Sequence, residues 1–275
     1  MISIIIGHKN RTHLLVPNLQ TLLAQTDKNF EIVIVDNSSP EGLVELKRVV
    51  NEARQAGLTI KGLHIDPTAH PMSHPVGEYG GAYNPALAQN IGVLAARGDV
   101  VCLTSPEVIN ASTNVEVTAQ LFSDGKSRFA LGWIDERHQS AVGNISAGIS
   151  VAAMKALCVR PGNGAMCRDD VAARPWLPIN YFLGYLRRDD FIKVGGIDER
   201  FLESIGYEDD FFARCCAQAG FPAEFTPSIA GIHLSHSRGY QFGGSNKALY
   251  ESLKHLSVAN EGFNWGSREY IREEF

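Results

Sequence analysis

The sequence predicts an α/β protein built on a mainly parallel, Rossmann-like sheet flanked by helices. Over the first hundred residues, apolar β-branched runs alternate with helical patterns, as expected for parallel strands joined by crossover helices. Each expected strand runs into a polar loop, and in such sheets ligands sit at the carboxyl ends of the strands. The chain has 275 residues and 44% hydrophobic content. That is enough for a substantial core, as one large α/β domain or one domain plus a small lobe.

Taken in order, strands are expected at 2–6, 30–35, 58–64 and 99–104, with helices near 12–25, 41–56 and 84–96. The loops after the strands supply candidate ligand contacts: His8 to Arg11, Asp36 to Ser39, Asp66 onward, and Thr104 to Glu107. Residues 66–82 are rich in Pro, Gly and His without periodicity, which predicts a long loop. Proline flanks His70 and His74, so this pair reads as loop surface rather than as helix-borne ligands. From 134 to 180 the pattern is irregular, with one short helix near 149–157. This stretch is expected to be an insertion. Gly239 to Ser245 is glycine-rich and is expected to be a mobile lid.

Net charge is −5 and no run of Lys or Arg occurs, which argues against an electrostatic nucleic-acid groove. The chain enters a strand at Ile2, leaving no room for a signal peptide, and no apolar run reaches membrane-spanning length. A cytoplasmic enzyme, or a soluble catalytic domain of a larger chain, is expected. Five cysteines lack the paired spacing of a zinc site. Cys102, Cys215 and Cys216 read as buried free thiols. Cys158 and Cys167 flank a Gly-Asn-Gly turn, where a bridge in an oxidising compartment is the lesser alternative.

The chemistry concentrates in Gly195-Gly196-Ile197-Asp198 and Gly206-Tyr207-Glu208-Asp209-Asp210. Three acids in a row open an amphipathic helix carrying Phe211, Phe212, Cys215, Cys216 and Ala219. The helix dipole favours an acid in a first turn, but one would suffice and three repel each other. Clustered carboxylates behind a glycine loop that admits a ligand make a general-base site. Tyr185 and Tyr207, and more weakly Trp176, could stack on a ligand face; each could equally be core.

These two elements, in their order and spacing with four others, resemble glycosyltransferases of the GT-A fold. The others are Ile2-Ser3-Ile4-Ile5-Ile6 with Lys9-Asn10-Arg11; Phe30 to Asp36-Asn37-Ser38-Ser39; Tyr83-Asn84-Pro85 through Asn90-Ile91-Gly92; and His233-Leu234-Ser235-His236-Ser237-Arg238. The likeness is to the β-1,4-galactosyltransferase and chondroitin-polymerase type within the wider family 2 superfamily. It implies inverting transfer of a sugar from a nucleotide-diphosphate donor, a UDP-sugar, to an acceptor hydroxyl. Residues 1–110 would form the nucleotide-sugar half and 111–275 the acceptor-binding and catalytic half.

By that resemblance Asp209 is the base, Glu208 holds an acceptor hydroxyl, and Asp210 orients the loop or caps the helix. Lys9, Arg11, Asp36, Asn37, Asp66, Asn90 and Ser105 fall at donor-side positions. Asp36 would accept a hydrogen bond from a uracil N–H or a ribose hydroxyl, with a turn aspartate as the lesser alternative, and Asn90 could cap its own helix instead. The chain departs from the family's Asp-x-Asp at the fourth strand, where it has Thr104-Ser105-Pro106-Glu107. Glu107 is left as the carboxylate ligand, with His233 and His236, a set suited to Mn2+ or another borderline divalent ion. That departure also keeps open a catalytically silent member of the fold that binds nucleotide sugars or glycans. A nucleotidyltransferase sharing the sheet is the third reading, and Gly7-His8-Lys9-Asn10-Arg11 fits its glycine-rich loop poorly.

Overall fold

A computed structural model of the chain describes residues 1–66, 85–138, 182–201, 206–236 and 244–275. The expected helix at 149–157, His70, His74, Cys158, Cys167, Trp176 and Arg238 lie outside the described residues, as does most of the expected lid.

The first strands form where the β-branched runs are densest: β1 (Ile2–His8), β2 (Phe30–Asp36), β3 (Ile60–Ile65) and β4 (Val100–Thr104). They pair in parallel in the order β4-β1-β2-β3. Every residue of β1 and β2 is buried because both faces are covered, which explains why these runs read as continuous apolar stretches. Alternation along the strands divides their side chains between two cores. Ile4, Ile6, Ile32 and Ile34 pack with Leu15, Leu19 and Leu22 of α1 (Thr12–Leu23) and Leu46, Val49 and Val50 of α2 (Pro40–Gln55). Ile5, Val33 and Val35 pack with Leu87, Ile91 and Val93 of α3 (Pro85–Ala95). The start of α2 is set locally: Ser39 accepts a hydrogen bond from the Gly42 amide and Pro40 occupies the first turn.

Beyond β4 come β5 (Val108–Asn110), α4 (Asn114–Leu121), β6 (Phe129–His138), β7 (Gly184–Arg187) and α5 (Arg188–Lys193). The chain continues through α6 (Glu208–Gln218), β8 (Ala223–Ser235), α7 (Gly244–Leu253), a 3-10 turn at Arg268–Tyr270 and β9 (Ile271–Glu274). Among the described residues the strands make one nine-stranded sheet, ordered β5-β8-β6-β7-β4-β1-β2-β3-β9. Its core is parallel. β7 closes the parallel group antiparallel to β4, and β9 closes it antiparallel to β3.

Two sequence expectations need correction. Residues 134–138 belong to β6, which pairs in parallel with β8 along its length; the polar side chains there hid a strand inside a sheet. Gly244 and Ser245, assigned to the lid, open α7.

Candidate active site

Sheet register makes Glu107 a site residue. β5 pairs antiparallel with β8, setting Val108 opposite His233, and the Leu234 amide donates to the Glu107 carbonyl at 2.8 Å. Asn18 of α1 fixes the turn before it, donating to the carbonyls of Ser105 and Pro106 at 3.1 and 3.4 Å. His236 Nε2 lies 3.3 Å and His233 Nε2 3.8 Å from Glu107 Oε1. One potential ligand atom from each residue falls within 4.8 Å of the others. Arg11, at the start of α1, reaches the same carboxylate: its Nη1 is 2.9 Å from Glu107 Oε1 and 3.3 Å from His236 Nε2.

Burial alone would raise the Glu107 pKa. Hydrogen bonds from His233 and His236 and the charge of Arg11 outweigh it and hold the carboxyl well below the usual range. One fixed carboxylate with two imidazoles suits a borderline divalent cation. Glu107 Oε2 is buried and has no hydrogen-bond partner among the described residues, so the donor set has capacity left for an ion. The Ser105 hydroxyl is buried in the same turn, likewise without a partner among the described residues.

The acids lie at the entrance of α6. Tyr207 precedes them at φ +75°, a left-handed conformation that a bulky residue rarely adopts. The chain therefore turns sharply between Gly206 and Glu208. Asn246 of α7 donates to the Gly206 carbonyl at 3.1 Å, and Tyr250 packs its ring on Tyr207 with centroids 5.7 Å apart. The helix after the histidine strand thus holds the entrance to the acid helix. Four residues join α6 to β8, and the helix runs back against that strand.

All three acids are buried. Burial, followed by the charges of Glu208 and Asp210, pushes Asp209 well above the carboxylate range. Burial and then the charge of Asp210 push Glu208 up to about 7. The sign for stability follows directly. In the unfolded chain Glu208 releases its proton near 4.5, and in the folded chain near 7. Between those values the unfolded state binds fewer protons, so stability falls as pH rises. Thermal midpoints should decline from pH 5 to 7, and Glu208→Gln should flatten the decline. A wild-type slope unchanged in that variant would show that Glu208 does not govern it.

Asp36 is held by side chains of the flanking strands. Its side chain is fully buried at the end of β2, beside His8 and His64 on the flanking strands. His8 Nδ1 lies 2.7 Å from Oδ1 and His64 Nδ1 2.9 Å from Oδ2, and the Ser38 hydroxyl donates to Oδ1. Burial alone would raise its pKa; the hydrogen bonds of His64, His8 and Ser38 overcome this and lower it to about 2. Asp36 thus presents no open carboxylate edge to a nucleobase. It anchors two imidazoles, of which His64 is the more exposed. His64 went unpredicted because a histidine in a strand reads as filler; the parallel register opposite Asp36 is what identifies it. Lys9 is also buried here, and burial lowers its pKa despite the opposing charge of Asp36. Asn37 follows Asp36, its amide donating to the His8 carbonyl at 3.0 Å.

The glycine pair and Asn90 form a structural hub. Asn90 donates to the Ile197 carbonyl and to Glu199 Oε1 at 2.8 and 2.7 Å, and its oxygen accepts from the Ile197 amide at 2.9 Å. Asp198 holds Arg200 at 2.6 Å and the Asn260 amide at 3.0 Å. Asn260 in turn donates to the carbonyls of Gly195 and Ile197. A Cβ at Gly195 would meet the Ala259 carbonyl oxygen at 2.1 Å, and one at Gly196 the Asn90 oxygen at 2.7 Å. The glycines admit the chain's own 259–266 segment. Asn90 is therefore a staple between α3 and this loop.

One further expectation changes. Tyr185 is completely buried between Cys102 and Ala130 on neighbouring strands, so it offers no face to a sugar. Asp66 is drawn to the outer edge of the sheet, where it pairs with Arg272 at 3.3 Å. Tyr207 stays half-buried beside the acids. Cys102, Cys215 and Cys216 are buried free thiols.

The description "Glycosyl transferase family 2" matches residues 3–64, the segment from β1 to the end of β3. No curated protein sequence matches the chain. Among solved structures, S. aureus TarS 1–349 in complex with UDP superposes with TM-score 0.58 at 14% identity, over 85% of this chain and 60% of that one. This is the GT-A fold. A GT-A mannosyltransferase from Pyrobaculum calidifontis, solved with GDP-Man and Mn2+, superposes with TM-score 0.56 at 17% identity, covering 92% of this chain and 62% of that one. Full TarS gives TM-score 0.59 at 13% identity, over 94% and 44%. The chain thus spans less than two thirds of the length of these GT-A structures. No helix among the described residues is long and apolar enough to cross a membrane.

Proposed function

We propose that this GT-A chain is an inverting glycosyltransferase that moves a sugar from a nucleotide-diphosphate donor, a UDP-sugar, to an acceptor hydroxyl. The observation that carries this reading is the convergence of Glu107, His233 and His236 at the carboxyl ends of β4 and β8. The buried acids head α6, the helix that precedes β8, and α7, beyond His236, donates to the turn that enters α6. The family match over residues 3–64 and the nucleotide-sugar complexes of the similar structures support it. Residues 1–110 serve the donor, and 111–275 the acceptor and catalysis.

Asp209 takes the proton of the acceptor hydroxyl as its oxygen attacks the anomeric carbon. The bond from that carbon to the diphosphate oxygen breaks, and the nucleoside diphosphate leaves with the electron pair. Inversion follows because attack and departure occur on opposite faces. A carboxyl held above its ordinary range is the stronger base once ionised. Glu208 receives an acceptor hydroxyl, and Asp210 steadies the helix entrance. Glu107, His233 and His236 would hold a divalent cation, Mn2+ in first place, which when bound supplies positive charge to the departing diphosphate. Arg11 and Lys9 add fixed positive charge on the donor side. Tyr207 flanks the acids as an acceptor contact, and Trp176 keeps its assignment from sequence.

His236→Ala is expected to lower the manganese-dependent part of UDP affinity at least about tenfold, leaving metal-free UDP binding nearly unchanged. The fold-change is within the usual span of coupling between two ligands. Calorimetry of UDP with and without Mn2+, alongside turnover on a panel of UDP-sugars, measures both. Absence of UDP binding under all conditions would overturn the donor assignment. UDP binding with no release of sugar from any donor would favour the silent member of the fold.

A further inference from the structure

We propose that the Arg11 guanidinium and a divalent cation are alternative occupants of the Glu107–His236 position, so that Arg11 guards the cluster until a nucleotide draws it away. The inference rests on the metal-ligand reading of Glu107, His233 and His236 given above.

The geometry is specific. Arg11 Nη1 contacts the same carboxylate oxygen, Glu107 Oε1, toward which both imidazoles point, at 2.9 Å. It also lies 3.3 Å from His236 Nε2. A guanidinium has only donors, and His236 Nε2 also faces the Glu107 oxygen, so Arg11 Nη1 crowds the same imidazole nitrogen that a metal would take. Two cations cannot share these atoms in a buried setting without strong repulsion. Among the described residues Glu107 is the one carboxylate of the cluster, so the competition is for its anionic charge.

Arg11 is built to move between two partners. Its backbone is fixed at the start of α1, where its carbonyl accepts from the amides of Leu14 and Leu15. Its side chain makes no capping hydrogen bond and is 21% exposed. A long side chain on a fixed base can turn from Glu107 toward a phosphate, its natural bidentate partner. Nucleotide binding would then free the cluster for the cation. Cation binding would release Arg11 for the nucleotide, making the two cooperative and reciprocal.

Titration of the full chain with Mn2+ alone, followed by loss of the free-ion paramagnetic resonance signal, tests this. Arg11→Met keeps much of the side-chain volume and removes the charge; Arg11→Gln is a second uncharged variant should the first fold poorly. Both are expected to bind Mn2+ without nucleotide at least about tenfold more tightly than wild type. The enhancement of Mn2+ affinity by UDP should shrink in both. Glu107→Gln added to either variant should abolish the gain. Equal or weaker Mn2+ binding in the uncharged variants would overturn the proposal, as would no Mn2+ binding by any variant. Metal-free UDP calorimetry on the same samples reports separately on the donor assignment.

Discussion

Asp209→Asn should lower turnover about 100-fold or more, the range for loss of a general base, while the fold and nucleotide affinity persist. The amide matches the carboxylate in shape and can still accept the Asp210 amide hydrogen bond, which spans 3.0 Å. It also leaves a neutral side chain among buried acids that repel one another when ionised, so no loss of stability is expected. What disappears is the group that can take a proton. Turnover and UDP affinity measured on one preparation separate the two roles. If the variant keeps more than a tenth of the wild-type rate, the base lies elsewhere, with Glu208 and Asp210 next in line.

The largest effect on stability is expected at Gly195. It sits at φ +82°, and an added Cβ would meet the Ala259 carbonyl oxygen at 2.1 Å. The left-handed conformation alone costs about 1–2 kcal/mol with a side chain. The contact adds more, because a backbone oxygen held in a hydrogen-bonded loop cannot easily retreat. Gly195→Ala should therefore destabilise the protein by about 3 kcal/mol or more, the sum of strain and overpacking. Gly57→Ala is the control: φ is +108° there, with nothing within 4 Å of the added atom. Urea denaturation of the two variants separates contact from strain. A Gly195→Ala loss no larger than that of Gly57→Ala would mean the loop yields freely.

The parallel core was legible because strand burial on both faces leaves a continuous apolar signature, and β1, β2 and β4 lie within two residues of their expected bounds. Glu107, His233 and His236 were legible as separate polar residues after apolar runs; their meeting depends on the pairing of β5 with β8. Asp36 and Asn90 show the limit. Their positions follow strand and helix periodicity, but what each side chain touches is decided by residues 28 and 107 positions away. The glycine pair was read as an approach for a ligand because sequence cannot distinguish it from an approach for another part of the chain. Tyr185 was ambiguous for the related reason that an aromatic residue suits a core and a sugar platform alike.

The closing of the parallel group by β7 on one side and β9 on the other bears on how the chain is made. β1 to β4 leave the ribosome before the rest of the sheet, with the outer backbone groups of β3 and β4 unpaired. At 5–20 residues per second, β9 follows β4 by on the order of ten seconds. Until β7 covers β4 and, later, β9 covers β3, these edges are templates for any other extended chain. β3 carries Lys61 on its waiting edge, which later pairs with Glu274 of β9 at 3.5 Å; a lysine there discourages wrong partners before the right one arrives. Nascent-chain quality therefore depends on a short strand from the last third of the sequence, and damage to it would be felt in yield before it was felt in rate.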